Sequence, residues 1–261
     1  MYRERARLPA TLMLLSTSAL DDDETELLFV DDGSEDSSAQ TVEHGAEAVG
    51  LRAEVIRLPH RGKGAAIAAG VRAAKGAVIA FVDADLSTGP ADVDRCLRMV
   101  EDGEADVVVA TRAHPDSEIG QRGPMSRQLW GRGYNRLLRT LDLTDMRDTQ
   151  CGLKGFTADA AHATFGNLET DGFAFDIEVL ARARRLGLRV TELPVHWTHM
   201  DESRVRPYRD APHMLVDTLK IWSRTRALRP DALSEAIKDG EAPEPRAAAP
   251  VAPPDPDPDP A

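Results

Sequence analysis

Short apolar runs alternating with stretches of helical length constrain this chain more than any other feature. Glu26 to Val30 (ELLFV), Glu54 to Leu58 (EVIRL), Ala77 to Val82 (AVIAFV) and Asp106 to Ala110 (DVVVA) each read as a buried strand. Between them lie three helical segments. One is capped at Asp36 or Ser37 and runs towards Val49, an Ala-rich one runs from Gly62-Lys63-Gly64 to about Lys75, and Pro90 opens the third. Proline suits a first helical position, because the N–H it lacks would be unpaired there. Strand and helix in alternation predict an α/β fold, a mostly parallel sheet with helices on both faces.

The second half is less regular. Met125 to Leu141 reads as helix, Cys151 to Phe156 as a short strand, Phe173 to Leu186 as helix and Leu188 to Val195 as strand. Pro212 to Arg226 reads as an amphipathic helix. The expected organisation is one domain over residues 1–228, its halves 1–110 and 111–228 sharing one sheet. The last 22 residues, from Gly240, hold 8 of the 17 prolines and no aromatic residue, so 229–261 is expected to be a disordered tail.

The net charge is −12, of which the last 22 residues carry −4, leaving about −8 on the rest. An acidic surface argues against a nucleic-acid partner, which needs clustered positive charge. The longest apolar runs are about six residues, well short of the ~20 that span a bilayer, and no basic-then-apolar leader opens the sequence. Cys96 and Cys151 lack metal-ligand spacing and are expected as free thiols in a reducing, cytoplasmic setting. Only 5 of 32 basic residues are lysine, so an isolated arginine carries little weight.

Three local patterns bear chemistry. Asp83-Ala84-Asp85 follows a strand directly, so two carboxylates can face one small volume, and a hard divalent cation with oxygen ligands relieves their repulsion. Alternatively, Asp85 or Ser87 caps the Pro90 helix. Asp31-Asp32-Gly33-Ser34 sits at another strand end, where open α/β sheets bind ligands; it is also ordinary turn chemistry. His60-Arg61-Gly62-Lys63-Gly64 opens a helix and offers N–H groups and an ammonium to an anion, but lacks P-loop spacing. Its glycines serve equally well for a close strand-to-helix turn.

Taken in order, DDGS (31–34), RGKGAAIAAG (61–70), VDADLS (82–87), ATR (110–112), DTQCGLKGF (148–156) and GFAFDIEVL (172–180) resemble the family 2 glycosyltransferases of the GT-A, Rossmann-like fold. Within that family the set is most similar to the dolichyl-phosphate β-glucosyltransferases and related polyprenyl-phosphate sugar transferases. The resemblance covers residues 2 to 225 and divides them into a nucleotide-binding half and an acceptor half. It implies Asp32 against the nucleoside and Lys63 either near the phosphates or closing the nucleotide pocket. Asp83 and Asp85 would hold Mg²⁺ or Mn²⁺ against the diphosphate, and Arg112 and Arg127 would receive an acceptor phosphate. Gln150 and Lys154 would line the sugar pocket, with Asp176 and Glu178 facing the donor sugar.

The implied reaction is an inverting displacement from a nucleotide-diphosphate sugar, UDP-glucose or GDP-mannose, to a polyprenyl phosphate. A hydroxyl acceptor would need a base, for which Asp176 is the candidate; as a plain helix carboxylate it would pair with Arg182 or Arg184. A non-catalytic, truncated nucleotide-binding remnant is the alternative of a different class. Met214, Leu215, Leu219, Ile221 and Trp222, with Lys220 and Arg224 nearby, suit either an interfacial helix on the inner face of a membrane or packing on the domain itself. The His196-Trp197-Thr198-His199 spacing fits strand-end packing better than a metal site.

One departure stands out. Family members open with a buried strand and a turn resembling PAYNE, whereas this sequence starts Met1-Tyr2-Arg3-Glu4, and Arg5 to Thr11 fits the segment just after that turn. The expectation is a sheet missing a strand between the DDGS and DADLS strands, from a start assigned too late or a true truncation.

Overall fold

The structure, a computed structural model, describes residues 1–120, 125–198 and 207–228, without the side chains of 125–130, 132 and 207–213. The expected tail therefore lies outside the described residues. The elements run α1 (Leu8–Ser16), β1 (Leu28–Asp31), α2 (Ser38–Val49), β2 (Glu54–Arg57), α3 (Lys63–Ala73), β3 (Val78–Phe81), α4 (Pro90–Glu101) and β4 (Val107–Thr111). The second half adds β5 (Glu118–Ile119), α5 (Met125–Thr140), β6 (Lys154–Thr157), α6 (Ala158–Phe165), α7 (Phe175–Arg185), β7 (Val190–Pro194), β8 (His196–Trp197) and α8 (Pro207–Thr225).

Local chemistry explains the boundaries. Pro90 takes the first position of α4, and Val93, Cys96 and Val100 repeat at helical spacing to form its buried face. Gly155 of β6 is needed beneath that face, because a side chain there would press into Cys96 Sγ. At α2 the residue before the helix, Ser37, is left-handed, and Asp36 does the capping: its Oδ1 accepts from Ser38 N at 3.1 Å and Ser38 Oγ at 2.5 Å. Gly50, at φ 73°, ends the helix by donating to Ala46 O.

β4 is buried along its whole length, and its side chains divide between two cores. Val108 and Ala110 join the cluster under α1, α2 and α4, while Val107 and Val109 join Phe156, Phe165, Phe175 and Val179 under α6 and α7. A strand buried on both faces must be apolar throughout, which is why DVVVA carries no alternation. Cys96 and Cys151 are free thiols in this interior, and burial pushes them up to about 12 and about 11, so neither is a reactive thiolate near neutral pH.

The sheet is not continuous. β1 pairs in parallel with β2, and a second sheet has the order β3-β6-β4-β7, with β6 antiparallel to both neighbours and β4 parallel to β7. β5 and β8 form a small parallel pair. The two halves share the four-stranded sheet, to which the first contributes β3 and β4 and the second β6 and β7, while the β1-β2 pair stands apart from it among the described residues. The break lies between the strand ending in DDGS and the strand ending in DADLS, where the sequence predicts a missing strand.

Candidate active site

The ends of β1 and β3 and the turns after them open on one cavity of about 1920 Å³, lined by Asp32, Lys63, Asp83, Asp85, Arg112 and Asp176 among others. Strand ends are where backbone groups run out of ladder partners, so side chains there are free to serve a ligand. Asp83 leaves β3 beside Gly152, so closely that any side chain at 152 would collide with its carboxylate. Its Oδ1 lies 2.5 Å from Lys63 Nζ. Asp85 Oδ1 accepts from Ser87 N and Oγ at 3.0 and 2.8 Å, and its Oδ2 stands 3.9 Å from Arg7 Nη1. Burial opposes the charge on Lys63, but Asp83, Asp176 and Asp85 outweigh it and hold the ammonium above its usual range.

On another wall, the Arg112 side chain grips Asp148 with two N–H groups, Nε at 2.7 Å and Nη2 at 2.9 Å, and lies 5.5 Å from the Trp197 ring centroid. Burial disfavours both charges, yet each stabilises the other: Asp148 is held below the carboxylate range and Arg112 is raised. Gln150 lines the same cavity, and its Nε2 is buried with no hydrogen-bond partner among the described residues. A buried donor without an acceptor is costly, which makes it a natural place for a ligand hydroxyl.

The "Glycosyl transferase family 2" model matches residues 1–165. The chain is a family 2 glycosyltransferase. Among curated relatives it is 31% identical over 235 residues to the dolichyl-phosphate β-glucosyltransferase of Dictyostelium discoideum, covering 85% of this chain and 72% of that protein. The corresponding enzyme of Drosophila melanogaster is 33% identical over 242 residues with the same coverage, and that of Homo sapiens 32% over 206 residues, 76% of this chain and 64% of the relative. Among solved structures, glucosyl-3-phosphoglycerate synthase from Mycobacterium tuberculosis superposes with a TM-score of 0.62 at 21% identity, over 86% of this chain and 77% of that one. The same enzyme in complex with Mn²⁺, UDP-glucose and glycerol 3-phosphate gives 0.60 at 22%, with the same coverage. This glycosyltransferase thus has the GT-A fold.

Several residues that the resemblance assigned to the glycosyltransferase site have other work. Glu178 is fully buried and away from the cavity. It accepts from Glu169 N, Thr170 N, Thr170 Oγ1 and Arg182 Nε at 3.2, 3.0, 2.6 and 3.2 Å, clasping the 169–170 loop to α7. Glu178→Ala would strand the buried Thr170 N–H and is expected to cost about 3 kcal/mol. Urea unfolding checks this, and an unchanged midpoint would refute the clasp. Lys154 does not line the cavity either: its Nζ is buried between Asp176 Oδ1 at 2.6 Å and Cys151 O at 2.9 Å.

Asp32 borders the cavity, but its carboxylate accepts from Arg61 N and Gly62 N, both at 2.9 Å, and its Oδ2 is 2.9 Å from His60 Nδ1. It ties β1 to the turn that starts α3. The anion site expected at the α3 N-terminus is closed, because Gly64 N and Ala65 N donate to Asp171 O at 2.7 and 3.3 Å. Glycine is required at 62 and 64 by that close approach, since a side chain at either would strike the 170–172 backbone. Arg127 belongs to α5, and its side chain lies outside the described residues. His199 lies outside them too, whereas Trp197 packs as expected of a strand end.

Sequence reasoning placed Gln150 at the pocket but missed Asp148 and Trp197 as parts of the same wall. Asp148 opens the DTQ segment, but nothing in the spacing shows that it meets Arg112 from 36 residues away.

Proposed function

We propose that this enzyme transfers glucose from UDP-glucose to a polyprenyl phosphate, with inversion at the anomeric carbon. The observation that carries the reading is the Asp83–Asp85 pair, opening on the same cavity as the Arg112 guanidinium and the unpartnered Gln150 amide. The dolichyl-phosphate β-glucosyltransferases at 31–33% identity support glucose as the sugar and a polyprenyl phosphate as the acceptor, and UDP-glucose is the donor bound by the fold neighbour from Mycobacterium tuberculosis.

The donor set fits Mg²⁺ or Mn²⁺. Asp83 and Asp85 offer hard oxygen ligands, and no group of three or more metal-ligating side chains stands among the described residues, so water and diphosphate oxygens would complete the shell. Such a cation, when bound, supplies countercharge to the diphosphate as it departs. Lys63 shifts from Asp83 to the diphosphate and adds a second cation. Gln150 Nε2 donates to a sugar hydroxyl and fixes the ring.

Arg112, held rigid by Asp148 and the Trp197 ring, receives the acceptor phosphate and aligns it with the anomeric carbon. A phosphate monoester has a second pKa near ~6, so it attacks as a dianion at neutral pH and needs no general base. Burial raises the Asp176 carboxyl above its usual range against the pull of Lys154 and Lys63, and its role is to fix Lys154 beneath the site.

The enzyme rests on the membrane that carries its acceptor. No helix among the described residues is long and apolar enough to cross one. α8 buries Ile221 in the cluster with Ile177 and Ala181 of α7 and Thr218 against Tyr134 Oη of α5, but leaves Leu215, Val216 and Leu219 exposed beside Lys220, a face suited to the inner leaflet. The test is to incubate the protein with UDP-glucose or GDP-mannose and vesicles containing polyprenyl phosphate, with and without Mn²⁺. Mass spectrometry should find glucosylated polyprenyl phosphate, abolished by chelator. Nucleotide release without a lipid product would overturn the acceptor assignment, and a product only from GDP-mannose would overturn the donor.

A further inference from the structure

The turn that carries Asp83 and Asp85 is braced by α1. Leu86 N donates to Asp83 O at 2.9 Å and closes a four-residue turn over 83–86. Ala84 and Asp85 keep negative φ, as in a type I turn. The type II alternative turns the central peptide over and needs a positive φ at Asp85. That central peptide carries the Ala84 carbonyl, and it lies between the two Cα atoms that bear the carboxylates. Its orientation therefore sets where Asp85 stands relative to Asp83.

Thr11 of α1 reaches that carbonyl: its Oγ1 donates to Ala84 O at 2.7 Å. A helical threonine often returns its hydroxyl to the carbonyl one turn back. Here Arg7 O is 3.4 Å away, so the single hydroxyl proton goes to the nearer Ala84 O. Thr11 is buried, which keeps water from taking its place. Leu86, at the end of the turn, has a left-handed φ of 47°, uncommon for a leucine. Its side chain is buried in the cluster that holds Leu8, Leu12 and Leu15 of α1, and that packing maintains the strained backbone. Two carboxylates on one turn repel each other, so an unbraced turn would relax in the direction that separates them.

We propose that Thr11 is a positioning residue for the Asp83–Asp85 pair: its hydroxyl holds the Ala84 carbonyl and so keeps the two carboxylates converged for a divalent cation. The inference rests on the reading of that pair as the cation site. Because the turn is ordered before the cation arrives, binding does not have to order it, and the affinity is higher by that difference. Without the hydroxyl, the Ala84 carbonyl loses its donor and the overturned peptide competes. Thr11 thus acts through the carboxylates and not on the transferred sugar.

The test uses the full chain and two comparisons at position 11 that differ in the hydroxyl: the parent against Thr11→Val, and Thr11→Ser against Thr11→Ala. Mn²⁺ affinity is titrated by electron paramagnetic resonance in the presence of UDP, with urea unfolding alongside. Loss of the hydroxyl should weaken Mn²⁺ binding about tenfold in each comparison, the scale of one hydrogen bond to a buried carbonyl. Thr11→Ser should keep the parent's affinity, even where loss of the methyl lowers its urea midpoint. Transfer should follow the same split: Thr11→Val needs about tenfold more Mn²⁺ for half its maximal rate, and regains the parent's kcat at saturation. An unchanged Mn²⁺ affinity in Thr11→Val, whatever its stability, overturns the proposal, and so does a Thr11→Ser as weak as Thr11→Ala. Asp85→Asn in the same titration separates this inference from the reading beneath it. If Asp85→Asn also binds Mn²⁺ like the parent, the cation site itself falls, and the role of Thr11 with it. If Asp85→Asn weakens binding and Thr11→Val does not, the cation site stands and Thr11 only packs. Should Thr11→Val not fold, the serine and alanine variants still decide.

Discussion

Asp83→Asn and Asp85→Asn are each expected to lower kcat/KM for glucosyl transfer by about 10³, the scale seen when one preorganised electrostatic contact to a transition state is removed. At 1.4 kcal/mol per decade this is about 4 kcal/mol of transition-state stabilisation. The fold should survive. The Lys63–Asp83 pair is partly exposed, and such pairs contribute at most about 1 kcal/mol to stability. Binding of Mn²⁺, followed by electron paramagnetic resonance in the presence of UDP, should weaken in parallel with activity. An asparagine variant that keeps transfer within a fewfold of the parent would remove the cation from the reaction. Full activity of the parent in chelator would do the same.

The largest effect on stability is expected at Lys154. Its ammonium is fully buried, 2.6 Å from an Asp176 carboxylate that is itself almost fully buried. Lys154→Met keeps the volume but leaves Asp176 without its cation, and breaking a buried pair in this way costs about 3–5 kcal/mol. A typical domain has only about 5–15 kcal/mol to lose.

The pH dependence has a definite sign. Burial raises the folded Asp176 pKa, with Lys154 opposing, so in that window the folded state binds the proton more tightly than the unfolded chain. Stability then declines as pH rises from the unfolded value, near ~3.9, through the folded one. Without Lys154 the folded value climbs further and the decline extends upward. Urea unfolding should show a larger loss for Lys154→Met at pH 8 than at pH 5. The double variant Lys154→Met, Asp176→Leu should recover most of the loss, because a well-packed apolar pair replaces an ionic one at little cost. A single variant as stable as the parent at pH 8 would mean that the pair holds nothing together.

Lys154 also marks the limit of reading a site from sequence. The DTQCGLKGF segment places a lysine near the pocket, and sequence alone cannot tell a lysine that meets a ligand from one that meets a carboxylate 22 residues later. Packing of α7 against β6 decides that. Glu178 is a similar case, two residues from Asp176 on α7 yet turned to a loop. The helix period places i and i+2 on different faces, and the sequence does not say which face meets the cavity.

The secondary elements were more legible where apolar runs are long and bounded. β4, α4 and α7 lie within a few residues of expectation, since DVVVA, Pro90 and the spacing in Phe175 to Arg185 signal them locally. α1 and α6 were not foreseen. α6 begins where Thr157 Oγ1 accepts from Ala160 N, a cap directly after a strand with no intervening loop to announce it. The antiparallel insertion of β6 between β3 and β4 was also hidden, because strand order depends on crossovers and not on local pattern.

What the sequence determined by itself was the α/β class, the family, the acidic pair after β3 and the break beside β1, all of which rest on short-range order and on motifs in fixed succession. What only the tertiary structure decided was which charged groups face the cavity and which are spent on one another. Asp32, Lys154 and Glu178 are satisfied by backbone or side chains far away in the chain, whereas Gln150 is left with a donor to offer. That division follows from desolvation: a buried polar group must find a partner, and the identity of the partner is a property of three-dimensional packing.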